Sequence, residues 1–357
     1  MLLPILTSPG TAAPLAPPPP SPVHGALPNR LIDSHGRTIH DLRLSITDRC
    51  NFRCLYCMDP DVRFLPTSAL LTTDQLGRIA RICTGLGIRT IRLTGGEPTV
   101  HPDLIRIITQ VAASGVANVA MTTNGSLLTP DIARQWKNAG LDRITFSIDS
   151  AEESTFSQMT RSATSAASVI NAIRIARDEG LGPVKANAVI LRGRNEHQIL
   201  PLAQLARDLD IDMRFIEYMP LDSGRHWDRT KLVPADEIAA TIQQRFPLTP
   251  VGKDHDHSTS LSFTFADGAP GRIGLIAPVS RPFCGACSRL RITADGKVRP
   301  CLFSLTEFDL AAPMRDGASD AQLSQFLIDS VWTKQKGHGI QAPDFVQPDR
   351  PMSAIGG

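Results

Sequence analysis

Three cysteines fall within eight positions of the stretch DRCNFRCLYCMDP (48–60), at Cys50, Cys54 and Cys57, in a chain of 357 residues that holds seven in all. A second group, Cys284, Cys287 and Cys301, lies near the other end, and Cys83 stands alone in RIARICTGLGI. Thiolate sulfur is the preferred ligand of iron–sulfur clusters and of structural zinc. A structural zinc site is closed by four protein ligands, and the first group offers three with no histidine beside it. Three cysteines on a four-iron cluster leave one iron without a protein ligand, and an open iron can bind a small molecule. The C-x3-C-x2-C spacing behind a predicted strand favours that reading over an incomplete zinc site or a chance loop. For the second group, zinc with a remote fourth ligand such as His255, His257 or His338 is an open alternative on spacing alone. Cys83 reads as a buried apolar position on an amphipathic helix.

These groups need a scaffold, and the sequence supplies an alternating one. Short β-branched or apolar runs at 42–47, 90–96, 118–125, 143–149, 185–191 and 213–219 predict strands. Helix-length segments lie between them at 73–86, 103–114, 130–139, 165–179 and 196–209. Six strands separated by helices argue for parallel βαβ units, hence an α/β fold and a partial (β/α) TIM-type barrel of about six units. Several strands end in polar or reactive residues, the cysteine loop, TGGEP, TTNGS, SIDS and EYMP, as expected of the rim where barrel chemistry is assembled. A doubly wound sheet would also gather ligands at its strand ends. After about residue 245 the pattern changes to two predicted hairpins, 260–278 and 288–303, the second turning at Asp295-Gly296, and a helix over 320–334. The expected division is 1–30 as a tail, 31–250 as the barrel and 251–357 as a β-rich extension with some helix.

Composition bounds the partners. Apolar residues make up 42% and charged residues 20%, with a net charge of +2, so no global basic or acidic field points to nucleic acid or a membrane surface. The first 29 residues carry no Lys, Arg, Asp or Glu and hold nine of the 28 prolines. They read as a disordered or polyproline-like tail, unlike a secretory signal or a mitochondrial presequence. No apolar run of about 18 residues suggests a membrane span. A cytoplasmic location follows as the expectation, and in a reduced compartment the cysteines serve as ligands or core rather than disulfides.

The loop Cys50-x3-Cys54-x2-Cys57, with Tyr56 before the last cysteine, resembles the signature of the radical S-adenosylmethionine (SAM) enzymes. TGGEP (94–98) resembles that family's glycine motif. The segment CGACSRLRITADGKVRPCLF, around Cys284, Cys287 and Cys301, resembles the C-terminal cluster segment of the GTP 3′,8-cyclase family, which opens molybdenum cofactor biosynthesis. The likeness runs from about Leu42 to the terminal Gly356-Gly357, a pair typical of that family, in which the tail reaches the active site.

The resemblance implies two [4Fe-4S] clusters, on Cys50, Cys54 and Cys57 and on Cys284, Cys287 and Cys301, each with an open iron. The first would bind SAM and cleave it to a 5′-deoxyadenosyl radical that takes the C3′ hydrogen of GTP. C3′ then attacks guanine C8, giving 3′,8-cyclo-7,8-dihydro-GTP. Tyr56, Gly95, Gly96, Glu97, Ser147 and Met219 match SAM contacts. Arg43, Arg92, Thr123, Lys185, Arg214, Arg289 and Arg291 match GTP contacts, and arginine forks suit phosphate oxygens. No protein nucleophile is required. The implied partners are cyclic pyranopterin monophosphate synthase downstream and a flavodoxin or ferredoxin type reductant, with a homodimer allowed and no role for nucleic acid or membrane.

Two departures stand out. Many members carry lysine two residues before the arginine of the glycine motif, where this chain has Thr90, which removes one cation from the phosphate region. The loop 161–169 lacks the usual glycine while keeping Arg161. The rivals are a peptide-modifying radical SAM enzyme with an auxiliary cluster and, from another class, a nucleic-acid-binding protein with a zinc knob at 284–301. More C-terminal cysteines would favour the first and a basic stripe the second, and the chain has neither.

Overall fold

The computed structural model describes residues 16–22 and 30–356. A small antiparallel hairpin, β1 (Leu31–Ile32) and β2 (Thr38–Ile39), leads into six parallel strands that lie side by side in chain order. These are β3 (Asp41–Ser45), β4 (Thr90–Thr94), β5 (Asn118–Thr123), β6 (Arg143–Ser147), β7 (Lys185–Ile190) and β8 (Asp212–Glu217). The crossovers are α1 (Thr73–Gly85), α2 (Leu104–Ala112), α3 (Pro130–Asn138), the pair α4 (Glu153–Thr160) and α5 (Ala166–Asp178), and α6 (Ile199–Leu209). Local sequence starts them. Thr72 and Gln75 form a capping box on α1, Thr129 caps α3 ahead of Pro130, and the Ser165 hydroxyl accepts from Ser168 N on α5.

The C-terminal region adds its strands to the sheet of the six-stranded unit. After α7 (Ala235–Gln243) come β9 (Leu248–Gly252), β10 (Leu261–Phe265) and β11 (Arg272–Ile276), an antiparallel set whose last strand pairs parallel with β8. At the opposite edge β12 (Arg289–Ile292) pairs parallel with β3 and antiparallel with β13 (Lys297–Arg299), which carries β14 (Phe308–Asp309). The result is one twelve-stranded sheet, with the C-terminal strands flanking both edges of the six-stranded unit and β9 and β14 at its ends. The fold is an α/β partial barrel left open on one side. The helices α8 (Ala311–Arg315), α9 (Asp320–Trp332) and α10 (Met352–Ile355) complete the chain.

Strand alternation separates two faces. Leu42, Leu44, Ile91, Leu93, Ile144, Phe146, Met213 and Phe215 are fully buried in the main core, which the crossover helices share. The other face carries Asp41, Arg43 and Ser45 on β3, Thr90, Arg92 and Thr94 on β4, and Arg143, Thr145 and Ser147 on β6. Lys185 and Asn187 follow on β7, and Asp212 and Arg214 on β8. Register sets these in layers: Arg43 is opposite Arg92 and Arg291, and Arg214 is opposite Asn187. A closed barrel fills its interior with branched apolar side chains. This interior is polar and cationic, and it encloses a cavity.

Part of the proline-rich segment is held on the domain. The Ser21 backbone N–H donates to Asp329 on α9 at 2.9 Å, and Ser21 is buried. The remainder of that segment, 1–15 and 23–29, lies outside the described residues, as does Gly357. Among the described residues no helix is long and apolar enough to cross a membrane.

Candidate functional site

All six grouped cysteines line one cavity of ≈ 280 Å³. The first trio sits in the loop that leaves the C-terminal end of β3. Arg53 N and Leu55 N donate to Thr160 O and Met159 O at 2.9 and 3.0 Å, and Phe52 packs edge-on against Phe156, which fixes the loop on α4. The second trio brackets the other end of the barrel. Cys284 and Cys287 precede β12, whose first residue Arg289 lies opposite Asp41, and Cys301 follows the antiparallel β13. The cavity therefore runs between the two trios along the barrel interior, rather than both lying on one rim.

The thiols differ in their surroundings. Burial pushes Cys50 up to about 11 and Cys57 up to about 12, and lifts Cys54 well above the usual range, with Asp149 and the fellow thiolates adding to it there. Thiols this hard to ionise need a positive centre to bind them as thiolates, which the iron of a cluster provides. At Cys287 burial also pushes upward, but Arg289, Lys334, the Arg289 backbone N–H and Arg291 outweigh it and bring the thiol down to about 6. Both donor sets fit a cluster held by three sulfurs.

The glycine motif has a use that its sequence did not disclose. A Cβ on Gly95 would stand 2.2 Å from Thr47 O, and one on Gly96 2.4 Å from Arg49 O, so these glycines admit the cysteine-loop backbone itself. Gly96 N and Glu97 N donate to those same carbonyls at 2.9 and 2.8 Å. The Glu97 carboxylate, 2% exposed, accepts from the Thr123 hydroxyl at 2.7 Å, Asn124 N at 2.6 Å and Thr99 N at 3.0 Å. Thr123, matched in sequence to a GTP contact, thus stands beside Glu97 with its hydroxyl engaged. Tyr56, Ser147 and Met219 all line the cavity, and the Tyr56 hydroxyl donates to Asp149 at 2.8 Å.

The middle of the cavity is a cluster of cations. Arg43, Arg92, Arg214, Arg289 and Arg291 line it together. Burial, then the charge of Arg289, draws Arg43 down to about 10, and burial with neighbouring arginines holds Arg92 and Arg291 well below the usual range. Burial and Arg214 also lower Lys185, which pairs with Asp212 at 3.2 Å. A second cavity of ≈ 150 Å³ at the N-terminal ends of the strands shares Arg43, Arg92, Arg214 and Arg289 and adds Lys185 and Arg143. Like charges crowded this way are relieved by a polyanion.

Several lining groups were not singled out in sequence. Arg143 lies two residues from Thr145 and four from Ser147 on the inward face, so strand alternation could have found it. Asn187 Oδ1, Ser45 Oγ and Thr94 Oγ1 are buried with no protein partner, in or beside the cavity. His338, named from sequence as a possible remote ligand of the second cysteine group, also lines the cavity, with its Nε2 unpartnered. Lys334, 3% exposed, donates to Arg289 O at 2.8 Å and to Pro300 O, which anchors β12 beside the second trio. Near the C-terminus Ser353 hydrogen-bonds Cys57, and a Cβ on Gly356 (φ +78°) would stand 2.5 Å from Thr94 Oγ1 and 2.6 Å from Ser45 Oγ.

Comparison with known proteins bears on this geometry. Residues 44–206 match the Radical SAM superfamily, and residues 211–340 match the family described as Molybdenum Cofactor Synthesis C. A GTP 3′,8-cyclase of Streptomyces coelicolor is 43% identical over 330 residues, covering 92% of this chain and 96% of the relative. One from Corynebacterium glutamicum is 43% identical over 338 residues, 92% and 89%, and one from Rhodopirellula baltica 41% over 335 residues, 92% and 93%. Among solved structures, Streptococcus suis SuiB bound to S-adenosylmethionine aligns with a TM-score of 0.57 at 14% identity, over 86% of this chain and 67% of that one. That likeness is one of fold.

Proposed function

The chain belongs to the GTP 3′,8-cyclase family of radical SAM enzymes, and on that premise we propose how its residues divide the reaction. The reaction cyclises GTP to 3′,8-cyclo-7,8-dihydro-GTP, the first step of molybdenum cofactor biosynthesis. SAM and an iron–sulfur cluster are its cofactors, and when bound they supply the radical that takes the ribose C3′ hydrogen.

Cys50, Cys54 and Cys57 hold the first cluster. Tyr56, Gly95, Gly96, Glu97, Ser147 and Met219 form the SAM end of the cavity, with Glu97 acting through Thr123 and Asn124 to keep the strand ends and the cysteine loop in register. Arg43, Arg92, Lys185, Arg214, Arg289 and Arg291 bind the triphosphate, and Thr123 is a further nucleotide contact. Cys284, Cys287 and Cys301 hold a second four-iron cluster at the guanine end. The tail acts through Ser353 on the first cluster loop and Gly356 beside Thr94 and Ser45, where it helps close the cavity to water; Gly357, matched in sequence to the same role, lies outside the described residues. The residues bind, orient and exclude solvent, and none acts as a nucleophile.

The observation that carries this reading is one cavity joining two cysteine trios through a belt of buried, under-neutralised arginines. The peptide-modifying and zinc-knob alternatives have no comparable support, since the likeness to SuiB is of fold alone. A flavodoxin or ferredoxin type reductant supplies electrons and cyclic pyranopterin monophosphate synthase consumes the product. The chain works in the cytoplasm, and a homodimer is compatible with it. The test is an anaerobic incubation of iron- and sulfide-reconstituted protein with SAM, reductant and either GTP or ATP. The reading expects a cyclised isomer of GTP by mass spectrometry and none from ATP; equal use of ATP, or intact GTP at full iron loading, overturns it.

A further inference from the structure

At the N-terminal ends of the barrel strands, outside the residues assigned above, two imidazoles and a carboxylate converge. His40 Nδ1 stands 3.3 Å from Asp41 Oδ2, and one ligand atom each of His40, Asp41 and His257 lies within 4.8 Å of the others. The His257 ring meets His40 edge-on at 4.1 Å between centroids and stacks on His255 at 3.6 Å. The Ser288 hydroxyl donates to Asp41 Oδ2 at 2.5 Å, and Ser288 O accepts from His40 N at 3.0 Å, so this part of the cluster is braced before any ligand arrives. Three elements contribute: the residue before β3, the first residue of β3 and the loop between β9 and β10.

From this we propose that His40, Asp41 and His257 form a divalent transition-metal site, open on the side that faces the nucleotide phosphates. Two imidazoles and one carboxylate are a common ligand set for such ions and leave positions for other oxygens. Three ligand atoms about 2.1 Å from one ion stand about 3–3.6 Å apart, so atoms that start within 4.8 Å of one another close on an ion with a movement of under ~1 Å each. Asp41 and His257 line the same cavity as Arg43, Arg92, Lys185 and Arg289, which gives the open positions their direction. Thr90 sits opposite Asp41 in the sheet register, where the strand brings no cation of its own. A metal ion beside these arginines is repelled in the empty protein and stabilised by a triphosphate. Metal and nucleotide therefore strengthen each other's binding by the same factor. The phosphate role rests on the triphosphate placement proposed above; the metal site does not.

The probe is Mn²⁺ alone, titrated into cluster-loaded protein while the six-line EPR signal of free Mn²⁺ is followed, first without nucleotide and then with GTP. The result expected is one Mn²⁺ per chain without nucleotide, weakened at least about tenfold in both His40→Ala and His257→Ala. Iron content per chain confirms that the variants are folded. With GTP present, the wild type binds Mn²⁺ several-fold more tightly than it does alone or than GTP does in buffer. A wild type with no stoichiometric site, or a site that survives both substitutions, overturns the metal proposal. A site indifferent to GTP overturns its phosphate role. Equilibrium dialysis of GTP with Mn²⁺ and in EDTA separates the two readings: binding weakened in EDTA by the same several-fold factor supports the coupling, whereas no GTP binding under either condition sinks the triphosphate placement and leaves the Mn²⁺ result standing.

Discussion

Replacing Arg43 with methionine should strengthen the empty protein and weaken its hold on nucleotide. Methionine keeps much of the arginine stem and removes the guanidinium. Burial, followed by the Arg289 charge, draws Arg43 from the ordinary arginine range down to about 10. At about 1.4 kcal/mol per unit that is roughly 3 kcal/mol of penalty on the charged form. Cavity water screens part of it, leaving about 1–2 kcal/mol. Arginine is charged in folded and unfolded chains at neutral pH, so the penalty falls on the folded state below about pH 10 and fades only above that. Arg43→Met therefore raises the Tm of nucleotide-free protein by roughly 1–3 °C for a chain of this size. The same change removes a charge-assisted contact worth about 1.5–3 kcal/mol, which weakens GTP binding about 10- to 150-fold. Differential scanning fluorimetry without nucleotide and anaerobic equilibrium dialysis with GTP read the two effects. A Tm lowered by more than about 2 °C would refute the argument from crowded charge, and a GTP affinity within about twofold of wild type would refute the placement of the triphosphate.

Three further changes test other parts of the site. Cys50→Ser and Cys287→Ser should each reduce reconstituted iron from about eight to about four per chain, and full iron in either variant contradicts a two-cluster assignment. Burial raises Asp149 from 3.8 to about 6, so ionising it penalises the folded state as pH climbs from about 4 to about 6, by at most roughly 3 kcal/mol. Asp149→Asn in cluster-free protein should therefore gain urea stability over wild type at pH 7, with the gain shrinking toward pH 4.5; a gap that does not change with pH argues against a perturbed carboxyl. The fully buried Glu217 carboxylate accepts from Ala235 N and Val279 N at 2.9 Å, from Ser280 N at 2.8 Å and from the Ser280 hydroxyl. Glu217→Gln turns an amide N–H toward these donors at a cost of about 2–4 kcal/mol, and an unchanged thermal midpoint would show that the carboxylate does not tie β8 to α7 and the segment before the second trio.

What could be read from sequence was whatever local pattern decides. Alternation in runs such as RITFS and KANAVI located six strands to within a few residues, and it set Arg289 and Arg291 on one face, where both line the cavity. Cys83 lies in the core of α1 as its apolar spacing suggested. What escaped depends on tertiary pairing. Nothing in SLSFTF or SRLRIT says that their hairpins dock parallel to opposite edges of the barrel. Helix α4, with its polar and β-branched ESTFSQMT, has too little apolar periodicity to announce itself. The contacts of Gly95 and Gly96 with the cysteine loop, and of Thr123 with Glu97, appear only once three strand ends share a rim. Lys334 was expected at the end of a helix that stops at Trp332; it instead turns inward to the carbonyls of Arg289 and Pro300.

The central claim is that one cavity brings ribose C3′ of GTP to the radical generated at the Cys50, Cys54 and Cys57 end. Its most direct test is anaerobic turnover of reconstituted protein with SAM, reductant and GTP deuterated at C3′, followed by mass spectrometry of the 5′-deoxyadenosine. The account predicts deuterium in 5′-deoxyadenosine that depends on GTP. Abundant 5′-deoxyadenosine without deuterium would contradict it.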